Sequence, residues 1–305
     1  MDGLMLIRET LDYLDQETAS TLKNSDQRVL YKELDKAAVE FVRQTHCLKS
    51  STFTITTVED HQEYALPPDF LNLYMKNGRG RFFIKFYDGS SYSYPVKIEH
   101  EDIFWDNDQD SREIPDCFAV IDAQELPARI NGAADAAGSR VAGECTLQDD
   151  SMLFTTTNLV YPRDVIHNTT DRSDGLIVSV TDATHLSTVL FNGKKNSWSQ
   201  NDAFVIRREP VKKLVFSAPC STAGYTVTIP YVCKPAPVYS DYAAWMIPEE
   251  SHSAICAEAA FQYENRKDDF TSADRHHAMF LAEVKRYNIE AARLILQGRR
   301  SKYRP

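Results

Sequence analysis

Residues 52–70 read TFTITTVEDHQEYALPPDF, and their periodicity sets the organisation of the chain. Phe53 and Ile55 alternate with Thr52, Thr54 and Thr56, the period of two that marks a strand with one buried face. The polar run 58–62 turns the chain, and Tyr64 and Leu66 resume the alternation until Pro67-Pro68 ends pairing. The stretch is expected to form a short hairpin, entered from a helix and closed by a proline pair. Such a unit serves assembly rather than catalysis.

Working outward, both ends of the chain read as helical. Leu4, Ile7, Leu11 and Leu14 make one stripe, and Leu30, Leu34, Ala37, Phe41 and Val42 make a second, with Glu33, Lys36, Glu40 and Arg43 assigned to its solvated side. Ser25 and Asp26 offer N-caps. Near the other end, Ile247-Pro248-Glu249-Glu250 places proline and acids at a helix start. A final stripe runs through Ala273, Phe280, Leu281, Val284, Tyr287 and Leu294, with Thr271 or Ser272 as cap and Gly298 as terminator.

Between these ends the period is two. The tip 77–81 (NGRGR) is a turn signal, and its Arg79 and Arg81 are placed either to touch a DNA phosphate or a neighbouring subunit, or simply to be solvated. FFIKFY and YSYPVKI read as strands around a turn at Asp88-Gly89. The small residues of 131–143 read as a linker. Beyond it, a compact β unit carries candidate strands near residues 152–155, 164–167, 176–180, 187–191 and 203–207, with Trp198 as its plug. The expected fold class is α+β: a helix bundle built from the N- and C-terminal helix pairs, a projecting antiparallel β region, and an inserted small all-β domain. The corresponding boundaries are 1–50 for the N-terminal helices, 51–130 for the β region, 131–145 for the linker and 146–208 for the insert. The β region returns at 209–244, the C-terminal helices occupy 245–298, and 299–305 is a basic arm.

A net charge of −10 argues against gripping nucleic acid over a broad surface, yet suits a surface past which DNA slides. The six cysteines are scattered with no CxxC pair, which points to thiols in a reducing compartment. The first residues lack a signal-peptide pattern, and no run approaches the roughly 18 apolar residues of a membrane span. The expectation is a soluble protein made in a cytoplasm.

No nucleophile elbow, phosphate loop, HExxH or dinucleotide fingerprint is present in the sequence. His276 and His277 would point about 100° apart on a helix, a poor arrangement for one metal. Asp149-Asp150 and Asp268-Asp269 read as solvated turns. The expectation is a non-enzyme without catalytic residues, metal or cofactor. Arg299, Arg300, Lys302, Tyr303 and Arg304 form a basic end without an acid, suited to docking on an acidic partner or to solubilising a tail.

Tyr64, Leu66, Pro67, Asp69 and Phe70, then Tyr231 to Pro235, then Ile247-Pro248 follow in an order that resembles the head-to-tail adaptor (connector) proteins of tailed bacteriophages. The insert, with Asn168-Thr169-Thr170-Asp171, Gly175, Gly193, Trp198, Asp202 and Phe204, is similar to a β module of phage structural proteins, with Asn201-Asp202 where such modules more often show Gly-Asp. The resemblance implies a closed, commonly dodecameric ring of copies beneath a portal ring, in the virion neck and assembled in the host bacterial cytoplasm. It implies downstream tail or neck proteins as partners, passage of double-stranded DNA, and no membrane. Residues 299–305 would be the portal-docking arm. A stopper, tail terminator or carbohydrate-binding decoration module is the alternative.

Overall fold

The computed structural model describes residues 1–14, 24–50, 52–74, 84–98, 114–122, 127–220, 222–240, 244–266 and 270–301. Among these, eighteen strands in four sheets stand against four α-helices. The expected fold class is corrected accordingly: the chain is mostly β, not a helix bundle with a small inserted β domain. The chain divides into two compact units. One holds residues 1–45, 128–208 and 235–305, and the other holds 46–127 and 209–234.

In the first unit the four helices are Gly3–Tyr13, Asn24–Thr45, His252–Asn265 and Phe270–Ser301. Asp2 caps the first, its carboxylate accepting from Met5 N–H at 2.9 Å. His252–Asn265 packs against the other three and is buried on nearly every side. Its Ala254, Ala257, Ala259 and Ala260 leave room for neighbouring helices to approach closely. The predicted stripe of Asn24–Thr45 is observed, with Leu30, Leu34, Phe41 and Val42 fully buried. Glu33, assigned to the solvated side, is instead 1% exposed and salt-bridged to Lys36 and Arg266. Helix Phe270–Ser301 runs through Gly298, and Thr271 and Ser272 lie inside it rather than before it.

The same unit contains a seven-stranded antiparallel sheet. Its order is Arg140–Val141, Glu144–Gln148, His185–Phe191, Ser173–Val180, Val165–Asn168, Ala203–Arg207, Ile130–Ala133. The stretch read as a linker thus supplies strands and both sheet edges. Its small residues are there because the backbone comes close to other groups. A Cβ at Gly132 would strike the Phe204 ring, and one at Gly138 would strike the Thr146 carbonyl. The sheet curls so that Asp135 N–H reaches the Gln148 carbonyl at 2.9 Å. Trp198, Phe154, Phe204, Ile166, Leu147 and Leu186 fill the interior. Residues 152–155 are not the expected strand: 152 and 153 are irregular, and a turn begins at 154.

The second unit is built from three small sheets around Leu66, Phe70, Phe86, Phe118, Phe216 and Val227. The faces of residues 52–70 are as predicted: Ile55, Tyr64 and Leu66 are buried and Thr54, Thr56 and Ala65 exposed. The pairing is not. Thr54–Thr56 pairs with Thr226–Thr228, and Glu63–Ala65 with Lys213–Phe216. The intervening loop bonds to residues 220–225 through Thr57 N–H to Tyr225 O and Asp60 N–H to Cys220 O. The two halves therefore separate into different sheets. The turn at Asp88-Gly89 does close a hairpin, Lys85–Tyr87 with Tyr92–Ser93. The Asp88 carboxylate accepts from the backbone N–H groups and hydroxyls of Ser90 and Ser91. Those bonds, led by the Ser91 N–H, hold its carboxyl well below the usual carboxylate range.

Candidate functional site

Of the residues that carry the phage resemblance, those of 64–70 and 231–234 come together in the second unit, whereas Pro235, Ile247-Pro248 and the 168–204 pattern belong to the first. Tyr64, Leu66, Phe70 and Tyr231 share one core. Phe70 and Tyr231 stack with ring centroids 5.7 Å apart. The Tyr231 hydroxyl donates to the Asp69 carboxylate at 3.0 Å. Lys234 N–H donates to the Asp69 carbonyl at 2.7 Å, and Phe70 N–H to the Pro67 carbonyl at 2.9 Å. The proline-acid-aromatic turn is thus locked onto the strand Tyr231–Cys233, 162 positions away in the chain. Burial, with Asp69 adding to it, pushes the Tyr231 hydroxyl up to about 12. Tyr64 does similar work at the other end of the segment. Its hydroxyl accepts from Val58 N–H at 3.0 Å and reaches the His61 carbonyl at 3.1 Å.

In the first unit, one face of helix Asn24–Thr45 meets the seven-stranded sheet through Arg28, Tyr31 and Asp35, spaced i, i+3, i+7. Arg28 pairs with Asp174 at 2.6 Å, and Tyr31 lies 6.2 Å from the Phe191 ring. Arg163 grips Asp35 with two nitrogens at 2.9 and 2.8 Å and also donates to the Pro235 carbonyl. Tyr239 adds a hydroxyl to Asp35 at 3.1 Å. This constellation was not anticipated from the sequence. The available signal was an acid standing among the apolar positions of a helix.

The chemistry-bearing candidates are dispersed. His276 pairs with Glu264 at 3.1 Å and His277 with Glu258 at 2.8 Å, so the adjacent histidines serve two separate carboxylates. Asp149, expected in a solvated turn, is 2% exposed and accepts from Ser151 and from Ala133 N–H. Asn168 is fully buried, its oxygen accepting from Thr170 and Asp171 N–H and its amide donating to Asp202. Trp198 is 1% exposed, with its indole N–H on Thr188 Oγ1 at 2.9 Å, so it presents no face to a sugar. Among the described residues no group of three His, Cys, Asp or Glu side chains is placed to hold a metal ion. No described helix is long and apolar enough to cross a membrane.

Arg79, Arg81, Asp268, Asp269, Lys302, Tyr303 and Arg304 lie outside the described residues. Arg299 and Arg300 belong to the last turn of helix Phe270–Ser301. The backbone thus carries the basic end at the tip of a 32-residue helix as far as Ser301. No protein-family model matches this chain, and no curated protein matches it either.

Proposed function

We propose that the chain is a structural subunit of the neck of a tailed bacteriophage, a ring-forming adaptor that joins the portal to the tail and extends the DNA channel. The observation that carries the reading is the packing of the first two of its three motif segments against each other, the third, Ile247-Pro248, lying in the other unit. Tyr64, Leu66, Pro67, Asp69 and Phe70 make one connected structure with Tyr231 and Lys234, held by the Tyr231–Asp69 and Lys234–Asp69 bonds. That packing supports the reading, because the two segments act on each other locally despite their distance in the chain. The charge balance is compatible with the role, because an acidic lumen lets DNA pass without releasing counterions to bind it. In this reading the protein carries out no catalysis and uses no cofactor. Its partners are a portal ring, its own copies and the next neck or tail component.

The basic end then docks on the portal. Residues 299–305 carry four of the chain's cations and no acid, and Arg with Tyr anchors are what interfaces favour. The test mixes the purified chain with portal rings and images the mixture by electron microscopy. Truncation after Gly298 removes only the last helical turn and the residues beyond it. It should abolish decorated portals while leaving the circular dichroism spectrum and melting temperature intact. Docking unaffected by the truncation overturns the arm, and failure of the full chain to decorate any portal ring overturns the adaptor.

A further inference from the structure

Residues 244–248 form a strap on the first unit in which buried and exposed side chains alternate. Trp245 and Ile247 are buried, whereas Met246 between them is 83% exposed. Trp245 packs edge-on against His252 with centroids 5.3 Å apart, and the Ile247 carbonyl meets His252 Nε2 at 3.0 Å. Ala244 makes a β-bridge to Asp2. Met246 is therefore a knob whose backbone is held from both sides, so seating it in a partner orders its side chain but not the strap.

The Asp2–Ala244 bridge places the strap beside helix Gly3–Tyr13. The outward face of that helix carries a groove of about 510 Å³ lined by Met1, Met5, Arg8, Glu9, Asp12 and Tyr13. Met5 is 51% exposed, and unbranched thioether side chains adapt readily to an apolar insert. Arg8 is exposed and makes no ion pair among the described residues; the same holds for Glu250, just beyond the knob. One chain thus displays an apolar knob flanked by an acid, and a methionine-lined groove whose lining carries Arg8 beside Glu9 and Asp12.

We infer that Met246 of one copy seats in the groove on helix Gly3–Tyr13 of a second copy, with Glu250 set against Arg8. The inference deepens the ring reading and rests on it for the identity of the occupant. Knob and groove are different patches, and in the ring reading each copy offers its knob to one neighbour and its groove to the other. Contacts of this heterologous kind are the ones that close into rings. Glu9 and Asp12, the other charged side chains of the lining, repel the strap acids, so Arg8 is the side chain of the groove that Glu250 can pair with.

Sedimentation equilibrium of the full chain, from about 10 μM to about 1 mM, tests the contact. The wild-type chain is expected to associate with rising concentration, and Met246→Asp to weaken association by about tenfold or more, a factor typical of losing a central apolar anchor. Arg8→Glu and Glu250→Arg should each weaken it, and both together in one chain should restore most of the loss. All three positions are on the surface or the strap tip, and melting curves check that each of the four variants is folded. No association at the highest concentration, an unchanged constant for Met246→Asp, or a double variant no better than the singles overturns the inference. Portal decoration is read separately. A wild-type chain that associates through the knob yet never binds a portal keeps this contact and removes the adaptor role.

Discussion

Asp35 stands on a helix beside Tyr31 and Leu34, and a carboxylate there is tolerated because Arg163 meets it with two nitrogens and Tyr239 adds a hydroxyl. Both side chains are nearly dry, 12% and 11% exposed. Removing one partner strands the other's charge, so Asp35→Ala should cost about 3–5 kcal/mol. Replacing both at once, with Asp35→Leu and Arg163→Met, should cost clearly less, because no charge is left without its counter-ion. Urea denaturation of the three chains checks the order. A double variant as unstable as Asp35→Ala would show that the packing, not the charge, is what matters. In the other unit the informative residues are Tyr231, pushed up to about 12 by burial and then by Asp69, and Cys220, pushed up to about 11 by burial. Unfolded, these groups titrate near 10 and about 8.5–9. Between those limits the unfolded chain has shed protons that the folded chain keeps, so stability falls as pH rises. The contribution is complete below about pH 8.5 and lost by about pH 12. Tyr231→Phe should flatten the decline between about pH 10 and 12 and leave the earlier thiol-driven part in place. Melting temperatures of both chains across that range decide it, and parallel curves would refute it.

At the scale of elements, alternation reported which side of a strand is buried but not which strand lies beside it. Ile55, Tyr64 and Leu66 point inward as their spacing demands, yet the hairpin expected between them is absent. Face is a local property of a pleated chain, whereas partner choice depends on segments that return after residue 209. The amphipathic stripes were legible for the same local reason. Glu33 escaped because its helix is covered on more than one side, and a single acid carries no sign of that. The small-residue stretch misled in the opposite way. Gly132 and Gly138 suggested a linker, but they are small because Phe204 and the Thr146 carbonyl occupy the space a side chain would need. The same geometry yields a prediction for the element. Gly138→Ala drives a Cβ into a backbone carbonyl beside Trp198, and a sheet backbone yields less readily than a flexible side chain. The expected loss is about 1–3 kcal/mol, with Trp198 fluorescence shifting to the red as its pocket opens. A variant with wild-type stability would show that Gly138 sits there for no steric reason.

For the whole molecule, the question is whether residues 128–208 are a removable insert or part of the helical unit. The strand ends argue that they are removable in covalent terms. Ile130 pairs with Ile206, and the Arg208 guanidinium donates to the Ala128 carbonyl at 3.1 Å, so the chain leaves and returns at one point. The contacts argue that they are not removable in energetic terms. Helix Asn24–Thr45 relies on the sheet for Arg163, Phe191 and Asp174, the partners of Asp35, Tyr31 and Arg28. Replacing 128–208 by a short glycine-serine turn should therefore have opposite effects on the two units. The unit of residues 46–127 and 209–234 keeps its whole core, including Phe86, Phe118 and Phe216, and should retain its cooperative unfolding. The helices should melt at a lower temperature, because excision leaves the Asp35 carboxylate without its guanidinium. Asp35→Leu introduced into the shortened chain should then raise the helical melting temperature, the reverse of its effect in the intact chain. Circular dichroism at the helical band, with hydrogen exchange read separately over the two units, measures both outcomes. Helices that melt unchanged after the excision would mean that the sheet decorates them without supporting them, and an Asp35→Leu effect of the same sign in both chains would lead to the same conclusion.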